Sequence, residues 1–141
     1  MIKKSGSAKW SGDLKTGKGK VSTESGVLND QPYGFNTRFE DGAGTNPEEL
    51  IGAAHASCFS MALSMILGEK GVAAESIETT ATVSLDKKDD GFAVTGVHLV
   101  VKASIPGVDK STFDECAKAA KQNCPISKLL NADITMDAEL A

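Results

Sequence analysis

The sequence predicts an α+β fold of order β-β-β-α-β-β-α-α-β. Three observations carry that reading. A charge-free run from Leu50 to Leu67 follows strong helix-start chemistry, a strictly alternating segment from Ile77 to Leu85 is followed by a returning strand, and an amphipathic helix begins at Asp109. The 141 residues, 40% hydrophobic and 24% charged, suffice for a packed core and read as a single domain over 1–141. A formal net charge of −4 argues against a nucleic-acid binder, which would carry a basic patch.

Residues 5–13 and 17–23, joined around Lys15-Thr16-Gly17, form a short hairpin, and Gly26 to Pro32 is a loop. Tyr33 to Glu40 reads as a strand, with Phe35, Thr37 and Phe39 on one face and Asn36, Arg38 and Glu40 on the other. Asp41 to Gly44 turns the chain into the long helix. There Asn46 caps, Pro47 fits the first helical position, and Glu48 and Glu49 suit the positive end of the dipole. Gly68 is the expected stop. The run is almost long enough to cross a bilayer. It carries Gly52, His55, Ser57, Ser60 and Ser64 among soluble-looking strands, however, and is read as a core helix.

Ile77, Thr79, Ala81, Val83 and Leu85 form the inward face of a strand, Lys87 to Gly91 is a charged hairpin turn, and Phe92 to Ile105 returns. Pro106 and Gly107 break that strand. The second helix turns Phe113, Cys116, Ala117 and Ala120 inward. Asn123-Cys124-Pro125 interrupts it and starts a short third helix, Ile126 to Leu130, and Ile134, Met136, Ala138 and Leu140 mark a last strand. A helix apolar on nearly every side needs more cover than one small sheet offers. That mismatch points to a homodimer. Met1 to Trp10 has no apolar signal-peptide core, which places the protein in the cytoplasm, where thiols stay reduced.

Fourteen lysines and one arginine, Arg38, make up the basic residues. A planar five-donor group therefore stands once, either in a surface ion pair with Glu40 or Asp41 or in a special role. Cys116 is read as a small core residue. Cys124 sits at a helix cap before Pro125, where a thiolate is stabilised. Cys58, more than two turns inside its helix, is silenced by apolar surroundings unless a cation reaches it, and Arg38 is the candidate. His55 shares a helix face with Cys58, which leaves open a Cys–His couple, a hydrolytic base, or a metal site with Cys58 and Cys124. No metal-type spacing and no oxyanion-hole motif accompany them. His98 is read as a partly exposed strand residue.

Val21–Asn29, Gln31–Phe39, Thr45–Ser60 with its Asn-Pro-Glu and Cys-Phe pairs, and Asn123-Cys-Pro-Ile-Ser127 together resemble the OsmC/organic hydroperoxide resistance (Ohr) family over nearly the whole chain. The resemblance implies an intertwined homodimer in which antiparallel sheets wrap long central buried helices. It also implies a thiol-dependent peroxidase acting preferentially on organic hydroperoxides, with no cofactor and no metal. Residue by residue, Cys58 matches the peroxidatic cysteine, Cys124 the resolving cysteine, and Arg38 and Glu48 the pair that activates the thiolate. An external dithiol, lipoyl-type in the family, is the implied reductant. Neither Cys116 nor His55 matches a functional position. A non-catalytic redox sensor or stress-response binding protein is the alternative.

On this reading Arg38 donates to both peroxide oxygens while alkoxide charge develops, Glu48 holds the guanidinium, and the Cys58 sulfenic acid condenses with Cys124. Glu48 and Cys58 lie ten residues apart, about 15 Å along a helix axis at ~1.5 Å per residue. One guanidinium meets both only if the helix kinks or if Arg38 and Glu48 come from the partner subunit. Phe35, Phe39, Ile51, Phe59 and Met61 are candidates for an apolar mouth that favours bulky hydroperoxides.

Overall fold

The computed structural model describes residues 1–141. They form two compact units, Met1–Leu50 and Ile51–Ala141. In the first, β1 (Gly6–Ser11), β2 (Lys18–Thr23) and β3 (Gln31–Tyr33) form an antiparallel sheet in chain order. Trp10 and Tyr33 pack across it with ring centroids 5.7 Å apart.

The predicted strand from Tyr33 to Glu40 is corrected. Strand β3 ends at Tyr33, and α1 (Phe35–Phe39) is a short helix. The alternation of Phe35, Thr37 and Phe39 suits a strand, but Phe35 and Phe39 also stand at i and i+4, and their rings meet at 4.8 Å. The side chain of Thr37 decides between the two. Its Oγ1 accepts from the Gly34 N–H at 2.8 Å and donates to the Gly34 carbonyl at 3.0 Å, closing a turn instead of a ladder. Asn46 Nδ2 then donates to the Thr37 carbonyl at 3.0 Å.

Helix α2 (Pro47–Glu69) begins as predicted: Asn46 Oδ1 accepts from the Glu49 N–H at 2.8 Å. It runs one residue beyond Gly68. Gly71, at φ 73°, takes the left-handed turn that ends it, and the Val72 N–H returns to the Leu67 carbonyl at 3.1 Å. By length and mean hydropathy, 1.7, α2 is able to cross a membrane. Its stripe of Gly52, His55, Phe59, Leu63 and Leu67 is instead buried in the protein core.

In the second unit, β4 (Ser76–Lys88) and β5 (Gly91–Ser104) form a long antiparallel hairpin with a bulge at Ser84/Leu85. Helix α3 (Lys110–Asn123) is capped by Asp109, whose carboxylate accepts from the Thr112 N–H at 2.8 Å. Helix α4 (Pro125–Leu129) follows, and β6 (Asp133–Leu140) closes the sheet in the order β4-β5-β6. The all-antiparallel expectation is modified here: β6 runs parallel to β5, from Gly96 opposite Asp133 to Ala103 opposite Leu140. The helical segment α3–α4 supplies the crossover that a parallel return requires.

The core joins Phe59, Leu63 and Leu67 of α2, Val97, Leu99, Val101 and Ala103 of β5, and Phe113, Cys116, Ala117 and Ala120 of α3. Each fully buried Leu or Phe contributes roughly 1.5–3 kcal/mol. Gly52 lets α2 approach β4: a Cβ there would stand 2.8 Å from the Ala81 carbonyl oxygen. Ser60 Oγ and Thr79 Oγ1 lie 2.8 Å apart in the same contact. The far side of α2 is bare, with Met61 and Met65 74% and 63% exposed.

Candidate functional site

Cys58 and Cys124 come together although one lies mid-helix in α2 and the other between α3 and α4. The Asn123-Cys124-Pro125 break explains this. Proline cannot extend α3 but suits the start of a helix, so Cys124 takes an extended conformation (φ −62°, ψ 139°) and becomes the N-cap of α4. Its Sγ accepts from the Ser127 N–H at 3.4 Å. Cys124 is fully buried, Cys58 half-buried, and both thiols are free.

Burial pushes the Cys58 thiol above its ordinary range. The Ile126 backbone N–H offsets part of this, while the neighbouring Cys124 adds to it through a hydrogen bond and through its charge. Cys58 opens onto an apolar cleft of about 750 Å³ lined by Met61, Ala62, Met65, Ile66 and Ile126 among others. Met61 stands in the wall of that cleft. Phe59, proposed for an apolar mouth, does not: it points inward and has no exposure. Ile51 is half-buried at the start of the unit.

A second cluster lies in the Met1–Leu50 unit. Arg38, on α1, pairs not with Glu40 or Asp41 but with Glu48. Its Nε donates to both Glu48 oxygens at 3.1 Å, and its Nη2 donates to Oε1 at 2.6 Å. The Thr37–Asn46 bond ties α1 to the residues just before α2 and so sets the two partners face to face. This edge of the guanidinium is engaged, and the Nη1 end makes none of these bonds. Phe35 and Phe39 line a cavity of about 230 Å³ beside Arg38, whose Cζ stands 5.5 Å from the Phe39 ring centroid.

His55 is buried, and burial pushes its imidazole below the ordinary range. Its Nε2 lies 2.8 Å from Ser127 Oγ, which lies 3.0 Å from Cys124 Sγ. Ser127 is the member of this cluster that the sequence reading passed over. The signal was the Cys-Pro-x-Ser spacing, which puts a serine at the third position after a cysteine cap. Cys116 is 1% exposed in the core. His98 bridges to β6, with Nδ1 2.6 Å from Thr135 Oγ1 and Nε2 2.9 Å from Asp137 Oδ2. No group of three or more His, Cys, Asp or Glu is arranged to hold a metal.

Two neighbouring free thiols, one mid-helix and lining an apolar cleft, the other at a helical break in an α+β fold, define a paired-thiol protein. Comparison with known proteins gives the family: the model described as OsmC-like protein matches residues 40–139, and the chain belongs to the OsmC family. It is 63% identical over 139 residues to Peroxiredoxin OsmC of Escherichia coli K12, covering 99% of this chain and 97% of that protein. It is 33% identical over 123 residues to the organic hydroperoxide resistance protein OhrB of Bacillus subtilis 168, covering 86% and 88% of the two chains. The crystal structure of the B. subtilis OhrB aligns with a TM-score of 0.72 at 30% identity, covering 97% of this chain and 98% of that one. An OsmC-like protein of Mycoplasma pneumoniae aligns with a TM-score of 0.76 at 14% identity, covering 99% and 98%, which speaks to the fold alone.

Proposed function

We propose that this protein is a thiol-dependent peroxidase that reduces organic hydroperoxides, and more weakly hydrogen peroxide, through a Cys58 sulfenic acid and a Cys58–Cys124 disulfide. The observation that carries the reading is the pair of free thiols, Cys58 and Cys124, beneath an apolar cleft in the chain whose sole arginine is held bidentately by a carboxylate. The names of the E. coli and B. subtilis relatives, a peroxiredoxin and an organic hydroperoxide resistance protein, support it.

Cys58 is the attacking thiolate. Burial opposes that role, so a cation has to reach the sulfur, and Arg38 is that cation. Attack on one peroxide oxygen forms an S–O bond, breaks the O–O bond and expels an alkoxide, which leaves as the alcohol after protonation. The guanidinium's free N–H groups stabilise the charge on the departing oxygen. Cys124 then displaces hydroxide from the Cys58 sulfenic acid, giving the disulfide and water, and an external dithiol of the lipoyl type restores both thiols.

The protein acts as a homodimer. The bare Met61–Met65 face of α2 supports this, because a second copy would cover it. Helix α2 runs without a break from Pro47 to Glu69, which favours delivery of Arg38 and Glu48 by the partner subunit over a kinked helix. A steady-state assay with dihydrolipoamide and a panel of peroxides tests the reading. It predicts turnover that Cys58→Ser abolishes and a higher kcat/KM for cumene hydroperoxide than for hydrogen peroxide. Stoichiometric oxidation with little turnover on any dithiol would favour a redox sensor instead.

A further inference from the structure

His55 is the buried ionisable group that the peroxidase chemistry leaves without a task. It is fully enclosed, and its Nδ1 meets no hydrogen-bond partner. Its Nε2 touches Ser127 Oγ at 2.8 Å, and that oxygen touches Cys124 Sγ at 3.0 Å. The Ser127 N–H points at the same sulfur, at 3.4 Å. His55 of α2 is thus linked to the second thiol of the pair through Ser127 in the first turn of α4, 72 residues further along the chain.

The direction of this chain follows from the cost of stripping polar atoms of partners. Burial keeps the imidazole neutral, so the ring carries one N–H. On Nδ1 that hydrogen would be a buried donor with no acceptor, whereas on Nε2 the orphan is only a lone pair. Buried N–H groups without partners are the rarer case. Nε2 therefore carries the hydrogen and donates to Ser127 Oγ. Ser127 turns its own O–H toward Cys124. The O–H and N–H of one serine converge on one sulfur.

We propose that His55, acting through Ser127, is a positioning residue for disulfide formation, holding the Cys124 sulfur toward Cys58 with two donors as it attacks. The inference rests on the peroxidase reading above. In the step itself, Cys124 Sγ attacks the sulfur of the Cys58 sulfenic acid, the S–S bond forms and the S–O bond breaks. The departing hydroxide takes the Cys124 thiol proton and leaves as water; the peroxide has already supplied the oxidising equivalents. Charge gathers on Cys124 as its proton leaves, and donors fixed on that atom in a buried site stabilise it without reorganising. His55 is a fixed donor in this scheme, not the base.

The test is a single turnover with one equivalent of cumene hydroperoxide, in which sulfenic acid at Cys58 (trapped by a 1,3-dione) and the Cys58–Cys124 disulfide are timed separately by mass. His55→Leu and Ser127→Ala should each slow closure about tenfold while sulfenic acid forms at the wild-type rate, and the double variant should be no slower than either. His55→Gln, which keeps a donor near the Nε2 position, and Ser127→Thr, which keeps the hydroxyl, should close at near the wild-type rate. A merely structural role would not be rescued in this way. Ser127→Ala removes a single oxygen and serves as the test should His55→Leu fail to fold. Wild-type closure in Ser127→Ala, or no rescue by Thr and Gln, overturns the inference and leaves the peroxidase intact. Failure of the wild-type protein to form sulfenic acid at Cys58 overturns both.

Discussion

Replacing Arg38 by Lys keeps the positive charge and removes the fork. In the structure, Nε and Nη2 of Arg38 make three hydrogen bonds to Glu48, at 3.1, 3.1 and 2.6 Å, along one edge of the guanidinium. On the proposed mechanism the opposite end is left for the reacting oxygens. An ammonium carries its donors on one atom, so a lysine held by Glu48 cannot also present parallel N–H groups to a peroxide. The loss is that of at least one donor to a developing oxyanion, about 2.7–4 kcal/mol, or roughly 10²–10³ in rate. Rapid mixing with cumene hydroperoxide should therefore show Cys58 oxidation slowed by about 10²-fold or more in Arg38→Lys. Alkylation of Cys58 by iodoacetamide requires the thiolate but no donors to a peroxide, and should change far less. The split between the two rates is the diagnostic. Oxidation by peroxide at close to the wild-type rate in Arg38→Lys would mean that charge alone suffices and that the fork plays no part.

Four further outcomes follow from the packing and the thiol pair. Cys124→Ala removes a neighbour that holds the Cys58 thiol up, so the pH midpoint for Cys58 alkylation should fall; an unchanged or higher midpoint contradicts the pairing. Gly52→Ala would push a Cβ to within 2.8 Å of the Ala81 carbonyl oxygen and should lower stability by about 1–3 kcal/mol in denaturant titration, a wild-type midpoint being the contrary result. Phe59→Ala should cost about 3–5 kcal/mol as a core cavity. Met61→Ala should stay within about 0.5 kcal/mol in a monomer, whereas on a covered dimer face it should weaken association, which sedimentation at graded concentrations reads directly.

Much of the fold was legible because its longest elements have unambiguous periods. Helix α2 begins with Asn46, Pro47 and two glutamates, and the alternation in β4 survives as a regular exposed and half-buried pattern along the strand. Tyr33 to Glu40 was not legible, since spacing by two also contains spacing by four. The bonds of Thr37 to Gly34, and of Asn46 to Thr37, are what select the helix. Nor does alternation at Ile134, Met136, Ala138 and Leu140 say which neighbour β6 joins or in which direction; that depends on where α3 and α4 return the chain. The site divides in the same way. The lone arginine and the capped Cys124 could be singled out by residue chemistry, while the Arg38–Glu48 pairing came with the family resemblance. Phe59 lies inward and outside the cleft lining, because an aromatic next to a cysteine in sequence points about 100° away from it around a helix. Ser127 went unnoticed because its importance lies in bridging His55 and Cys124, a contact that sequence separation conceals.

On the proposed mechanism a guanidinium held by Glu48 activates a Cys58 that burial would otherwise silence, and the two belong to different subunits. Mixed dimers of Cys58→Ser and Arg38→Ala chains measure this directly, each parent being inactive alone. The mixed dimer should recover one working site, about half the wild-type activity per dimer, because an intact Cys58 then meets an intact Arg38 from its partner. Mixed dimers as inactive as both parents would contradict it.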